Sequence, residues 1–69
     1  MNKYVIPICN WSKQKVYNII IMSRSLSSCK EKIINMFQNY SDSDDYDEFV
    51  NDLKKQNILI GEITDIETL

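Results

Sequence analysis

Apolar residues run almost unbroken through residues 3–9, Lys-Tyr-Val-Ile-Pro-Ile-Cys, and again through residues 15–23, Lys-Val-Tyr-Asn-Ile-Ile-Ile-Met-Ser. Both stretches are rich in β-branched and aromatic side chains, which suit a pleated, half-buried backbone and predict two strands. Pro7 has no N–H to give to a ladder, so it marks an edge, a bulge or a side of the first strand without hydrogen bonds. Residues 10–14 are polar apart from Trp11 and have the length of a hairpin loop.

After Ser23 the period changes. Ser25 can accept a backbone N–H of a first helical turn, and Leu26, Cys29, Ile33, Met36, Phe37 and Tyr40 then recur at helical spacing as one apolar stripe. Lys30, Lys32, Asn35 and Asn39 take the opposite side, which predicts a helix over residues 26–39. Residues 41–45, Ser-Asp-Ser-Asp-Asp, break it and start another, with Ser43 or Asp44 as the expected cap. Tyr46, Phe49, Val50 and Leu53 form the second apolar face, acids crowd the first turn, and Lys54 and Lys55 fall in the last, each sign where the helix dipole favours it. Asn57 is expected to end this helix. Residues 58–64, Ile-Leu-Ile-Gly-Glu-Ile-Thr, read as a third strand with a bulge at Gly61. Ile66 and Leu69 either extend it or fold over an open edge.

The order β-β-α-α-β predicts one α+β domain over residues 1–69. The first two strands form a hairpin, the third pairs with the first, and both helices cover one face of a three-stranded antiparallel sheet. The strands carry apolar residues at both parities. Tyr17, Ile19 and Ile21 alternate with Val16, Ile20 and Met22; Ile6 and Ile8 alternate with Val5, Pro7 and Cys9; Leu59 and Ile63 alternate with Ile58 and Ile60. Two short helices cover one face only, so the other is expected to show aliphatic side chains to water. Either a homodimer or protein partner buries that face, or Ile66, Leu69 and lysine stems cover it, or loop residues partly bury the second strand. Trp11 is expected to fold back as a plug on the core, against the alternative of a binding hot spot presented by the hairpin loop.

At 69 residues, with 43% apolar and 26% charged residues and one Gly and one Pro, the composition is that of a single folded domain. No apolar run reaches the roughly 20 residues of a membrane span, and no signal-peptide layout is visible, which together with two sparse cysteines leads to the expectation of a cytoplasmic protein. Cys9 and Cys29 fit no zinc spacing and are expected to be small buried apolar side chains, with a bridge between them as the alternative. The charge is two-ended. Residues 1–40 hold six basic residues against Glu31, giving +5, and residues 41–69 hold nine acids against Lys54 and Lys55, giving −7.

Catalytic patterns are missing from the chain. It has no histidine to serve as general base, and one glycine cannot make a phosphate-cradling loop. Cys29 near a helix start invites a lowered pKa, but the stripe it shares with Leu26 and Ile33 favours burial. The run from Asp42 to Glu48 fails as a calcium loop, because from Asp42 position 5 is Tyr46, position 6 is Asp47 and position 12 is Leu53. No enzyme activity, metal or cofactor is expected. Asp42, Asp44, Asp45, Asp47 and Glu48 read first as favourable acids at a helix start, and beyond that as a surface for a basic groove on another protein. Trp11 with Lys13 and Lys15 is the candidate for nucleic acid, where an aromatic stacks a base while lysines meet phosphates. The acidic isoelectric point of 4.9 counts against it.

The hairpin leading into Ser25-Leu-Ser-Ser-Cys-Lys-Glu-Lys-Ile33 resembles, in layout, small phage- and mobile-element-encoded proteins, among them some anti-CRISPR and other anti-defence inhibitors. The resemblance covers residues 4–37 and has no diagnostic motif, so no functional residue carries over from it. The Asn-, Lys- and Ile-rich usage also suits an AT-rich genome. What the resemblance implies is a stoichiometric binder that blocks a host protein surface. The expected function is therefore a small non-enzymatic module that binds another protein, with Trp11 and the Asp42–Glu48 segment as its contact residues. A nucleic-acid-binding hairpin is the alternative, and a purely self-associating protein is the third reading.

Overall fold

In the computed structural model, which describes residues 1–66, the chain forms β1 (Asn2–Asn10), β2 (Lys15–Ser23), α1 (Leu26–Met36), α2 (Tyr46–Lys54), β3 (Ile58–Ile60) and β4 (Thr64–Asp65). β1 is central: β2 pairs antiparallel along its whole length on one side, and β3 and β4 pair antiparallel with it on the other. The expected α+β layout is present, with the third strand divided in two. The register from Asn2 opposite Ser23 to Asn10 opposite Lys15 is set by the four-residue turn at 11–14, in which Gln14 adopts φ 53° and donates its N–H to the Trp11 carbonyl.

The bulge expected at Gly61 lies between β3 and β4. Ile60 faces Ile8, so a regular strand would set Thr64 opposite Tyr4; Thr64 instead faces Val5. One extra residue is taken up there, and a one-residue slip reverses which side of the sheet each following side chain meets. Ile63, expected on the same side as Leu59, consequently packs against the core. Pro7 lies opposite the interruption. Its carbonyl accepts the Gly61 N–H at 2.8 Å, and its missing N–H faces the same edge, so the ladder has nothing to hold it there.

α1 packs over β2 and α2 over β3, and the helices meet each other. Ile6, Ile8, Cys29, Ile33, Phe49 and Leu53 are fully buried between the two layers, with Tyr4, Ile21, Phe37 and Ile58 around them. Burying each large aliphatic or aromatic side chain contributes about 1.5–3 kcal/mol, which is why these positions hold the helices to the sheet. Ser25 caps α1, accepting from Ser28 N, as expected. α1 stops at Met36, short of the expected residue 39, because Phe37 turns out of the helix and Tyr40 N–H bonds back to its carbonyl at 2.9 Å. Leu26 and Met36, expected on the buried stripe, are exposed, since the buried side of α1 is limited to Cys29 and Ile33. The cap of α2 is Asp45, not Ser43 or Asp44, and Asn57 at φ 64° ends the segment.

Candidate docking face

Alternation along the strands sends Tyr4, Ile6, Ile8, Ile19 and Ile21 toward the helices. Val5, Pro7, Cys9, Val16, Ile20, Met22 and Leu59 go to the other side, which no helix covers. They lie next to one another: Val16 faces Cys9, which also faces Leu59, and Ile20 faces Val5. Val16 is 77% exposed and Ile20 62%, and Met22 and Leu59 are exposed too. Lys3, at one end, is the only charged side chain that these strands place on the face, with Asn18 and Thr64 as its other polar groups. Of the covers expected, Ile66 is bound at the edge through its N–H to the Lys3 carbonyl at 2.8 Å, and Leu69 lies outside the described residues.

An outer strand edge borders the same face. Pro7 turns its carbonyl toward β3, so its partner Asn18, together with Val16, Ile20 and Met22, turns its own N–H and carbonyl away from β1, along the outer edge of β2. At one end Lys32 Nζ donates to the Met22 carbonyl at 2.7 Å, which occupies that end of the edge.

Of the other expected contact residues, the structure separates the acids from this face. Trp11 is 61% exposed at the hairpin tip, with its N–H bound to the Asn57 carbonyl at 2.9 Å, so it is no plug on the core. It keeps the parity of Cys9 and continues the pairing with the β3 side opposite Asn57, which turns it away from the helical layer. The acids gather at the start of α2, in the helical layer. Asp45 Oδ1 accepts from Asp47 N at 2.9 Å and Glu48 N at 3.3 Å, and Glu48 Oε2 lies 3.0 Å from Ser43 Oγ. Asp45 and Glu48 thus hold the helix start, while Asp42, Asp44 and Asp47 are exposed. Asp52, which the sequence did not single out, accepts from the buried Ser41 hydroxyl at 2.7 Å and ties the interhelical loop to α2.

Lys13 and Lys15 do share a site, but with different aromatic partners. They line an open groove of about 660 Å³ together with Tyr17, Phe37 and Tyr40, and Trp11 is not part of its wall. Tyr17 was legible as a neighbour of Lys15 from strand alternation. Phe37 and Tyr40 are distant in sequence and reach the groove only because α1 crosses β2.

Cys9 and Cys29 are free thiols on opposite sides of the sheet, which excludes a bridge between them in this fold. Cys29 is buried, as expected, whereas Cys9 is only half-buried on the open face. Burial pushes the Cys29 thiol up from its ordinary value against the smaller opposing pull of Lys32, the reverse of what a nucleophile at a helix start needs. Burial likewise raises Tyr46, with Cys29 and Asp47 adding to it. Lys30 Nζ stands 5.0 Å from the Tyr46 ring centre, which joins the helices on their outer side. Among the described residues no helix is long and apolar enough to cross a membrane, and no group of three or more His, Cys, Asp or Glu side chains is placed to hold a metal ion. Compared with family models, curated proteins and solved structures, the chain matches none.

Proposed function

We propose that this chain is a non-enzymatic protein-binding module that docks through the open face of its sheet. The observation that carries this is the set of seven neighbouring apolar side chains on three strands, five of them exposed and Val5 and Cys9 half-buried, on the side that the helices do not cover. A contiguous apolar patch of this kind often marks an interaction site, and burying it on a partner supplies the association energy. In this reading the module acts by occupying a surface of its partner, as the resemblance to phage-type inhibitors implies, and works in the cytoplasm. Trp11 and the exposed acids Asp42, Asp44 and Asp47 serve as further contacts, the acids on a second surface in the helical layer.

The test is comparative capture from nuclease-treated lysate of the source cells, using the wild type and the Ile20→Lys and Leu59→Lys variants as bait. Proteins retained by the wild type and lost by both variants support the docking face, and identical profiles reject it. Asp44→Lys with Asp47→Lys tests the acidic surface while keeping the Asp45 cap; unchanged capture removes those residues from the contact.

The hairpin groove favours a second reading, single-stranded nucleic acid held by Lys13 and Lys15 with a base against Tyr17 or Tyr40. Binding of a fluorescent oligonucleotide that weakens with salt and is lost in Lys13→Glu/Lys15→Glu would establish it. No binding at low salt would dismiss it.

A further inference from the structure

We infer that the occupant of the open face is a second copy of this chain, stacked sheet against sheet about a two-fold axis. This rests on the docking role of that face and gives the face to a second copy, which leaves the acids at the start of α2, on the outer surfaces of the pair, for a further protein.

Three observations select a second copy. The first is size. β1 and β2, nine residues each at about 3.4 Å per residue, with the interrupted row of β3 and β4 beside them at about 4.8 Å spacing, make a footprint of roughly 30 × 14 Å at most. Two such faces, with the relief of their side chains, bury on the order of 1,000 Å², the lower bound for a specific interface. The second is self-complementarity. A two-fold contact sets the same patch against itself, and this patch suits that, being apolar in the middle with Lys3 alone as a charge at one end. The third is the placement of the acids. Asp44, Asp45, Asp47 and Glu48 belong to the helical layer, on the far side of a molecule only 15 Å through its shortest Cα dimension. Stacking the sheets leaves the acids of both copies on opposite outer surfaces, so the net charge of −2 on each chain opposes association little.

Pairing through the free edge of β2 is the competing way to join two copies, and it fails on burial. It runs two sheets into one and leaves both apolar faces in water as a single patch twice as wide. Both edges are also blunted: β3 and β4 are short and broken opposite Pro7, and Lys32 occupies the Met22 carbonyl at one end of β2. Stacking puts all seven side chains in contact and needs neither edge.

Leu59 separates the two arrangements. It belongs to β3, two strands from the free edge, so it lies inside a stacked interface and roughly 24 Å from its counterpart in an edge-paired one. Light scattering of the wild type at a few hundred micromolar is expected to give twice the 8.2 kDa chain mass, and both Ile20→Lys and Leu59→Lys are expected to halve it. Both side chains are exposed in the single chain, so circular dichroism should show the fold retained. If either variant unfolds, a dilution series of the wild type followed by methyl NMR replaces it. Val5, Ile20 and Leu59 methyls then shift together as the dimer dissociates. A monomeric wild type overturns the inference, as does a dimer that Leu59→Lys leaves intact. A monomeric wild type whose captured protein still depends on Ile20 and Leu59 would remove the second copy and keep the docking face.

Discussion

Gly61 lies so close to Pro7 that a Cβ built on the glycine would stand 2.5 Å from the proline Cγ, while its N–H donates to the Pro7 carbonyl at 2.8 Å. The constraint is one of space, since the Gly61 backbone does not adopt a positive φ. The ring of Pro7 cannot swing aside as the end of a flexible side chain can. Gly61→Ala is therefore expected to destabilise the fold by about 1–3 kcal/mol, the usual cost of overpacking. Pro7→Ala should relieve much of it, so urea denaturation of the double variant should show strong non-additivity. Purely additive losses would mean that the two residues do not constrain each other.

Ser23 offers a stabilising change. It is fully buried beneath the helical layer, and its hydroxyl has no hydrogen-bond partner among the described residues. A buried hydroxyl without a partner costs its desolvation and returns nothing. Ser23→Ala should leave stability unchanged or raise it by about 1 kcal/mol, and each such kcal/mol lifts Tm by about 4–8 °C in a domain of this size. A drop of the melting temperature would show that the hydroxyl has a partner after all.

The start of α2 discriminates between adjacent aspartates. Asp45 alone accepts two first-turn N–H groups, so Asp45→Ala should cost about 1 kcal/mol. Asp44→Ala, one residue earlier and exposed, should stay within about 0.5 kcal/mol of the wild type. Equal losses in chemical denaturation would contradict the assignment of the cap.

Alkali should weaken the fold. Cys29 and Tyr46 are held above their ordinary values of 9.0 and 10.0, chiefly by burial, so between those values and the raised ones the folded chain binds more protons than the unfolded one. Stability is then fully present below about pH 9 and is lost as pH rises through the folded values. Urea midpoints should be flat from pH 7 to 9 and fall above that, less steeply in Cys29→Ala. A midpoint that rises with pH would reverse the sign. Native-state alkylation at pH 8 should spare the buried Cys29 until the chain unfolds.

The strand periods, both helical stripes and the Ser25 cap were legible because each is written within a few residues, where propensity and hydrogen-bonding chemistry act. Pro7 and Gly61 marked the weak point of the ladder for the same reason. The identity of the second cap was not legible, because Ser43, Asp44 and Asp45 offer the same chemistry in succession. Docking of Phe49 and Leu53 into the core chose among them. The side taken by Ile63 was equally hidden, since a single residue taken up in the bulge reverses it.

By itself, then, the sequence determined the α+β class, the pairing of the last strand with the first, and the presence of two apolar sheet faces served by only two short helices. Tertiary structure decided which of those faces stays open. α1 reaches over β2 and α2 over β3 from the same side, so Ile6, Ile8 and Ile21 are sealed while Val16, Ile20 and Leu59 remain in water. It also sent Trp11 outward and gathered Lys13, Lys15, Tyr17 and Tyr40 around one groove. The reason is physical: alternation fixes which residues share a face, but only the packing of distant segments determines what covers that face.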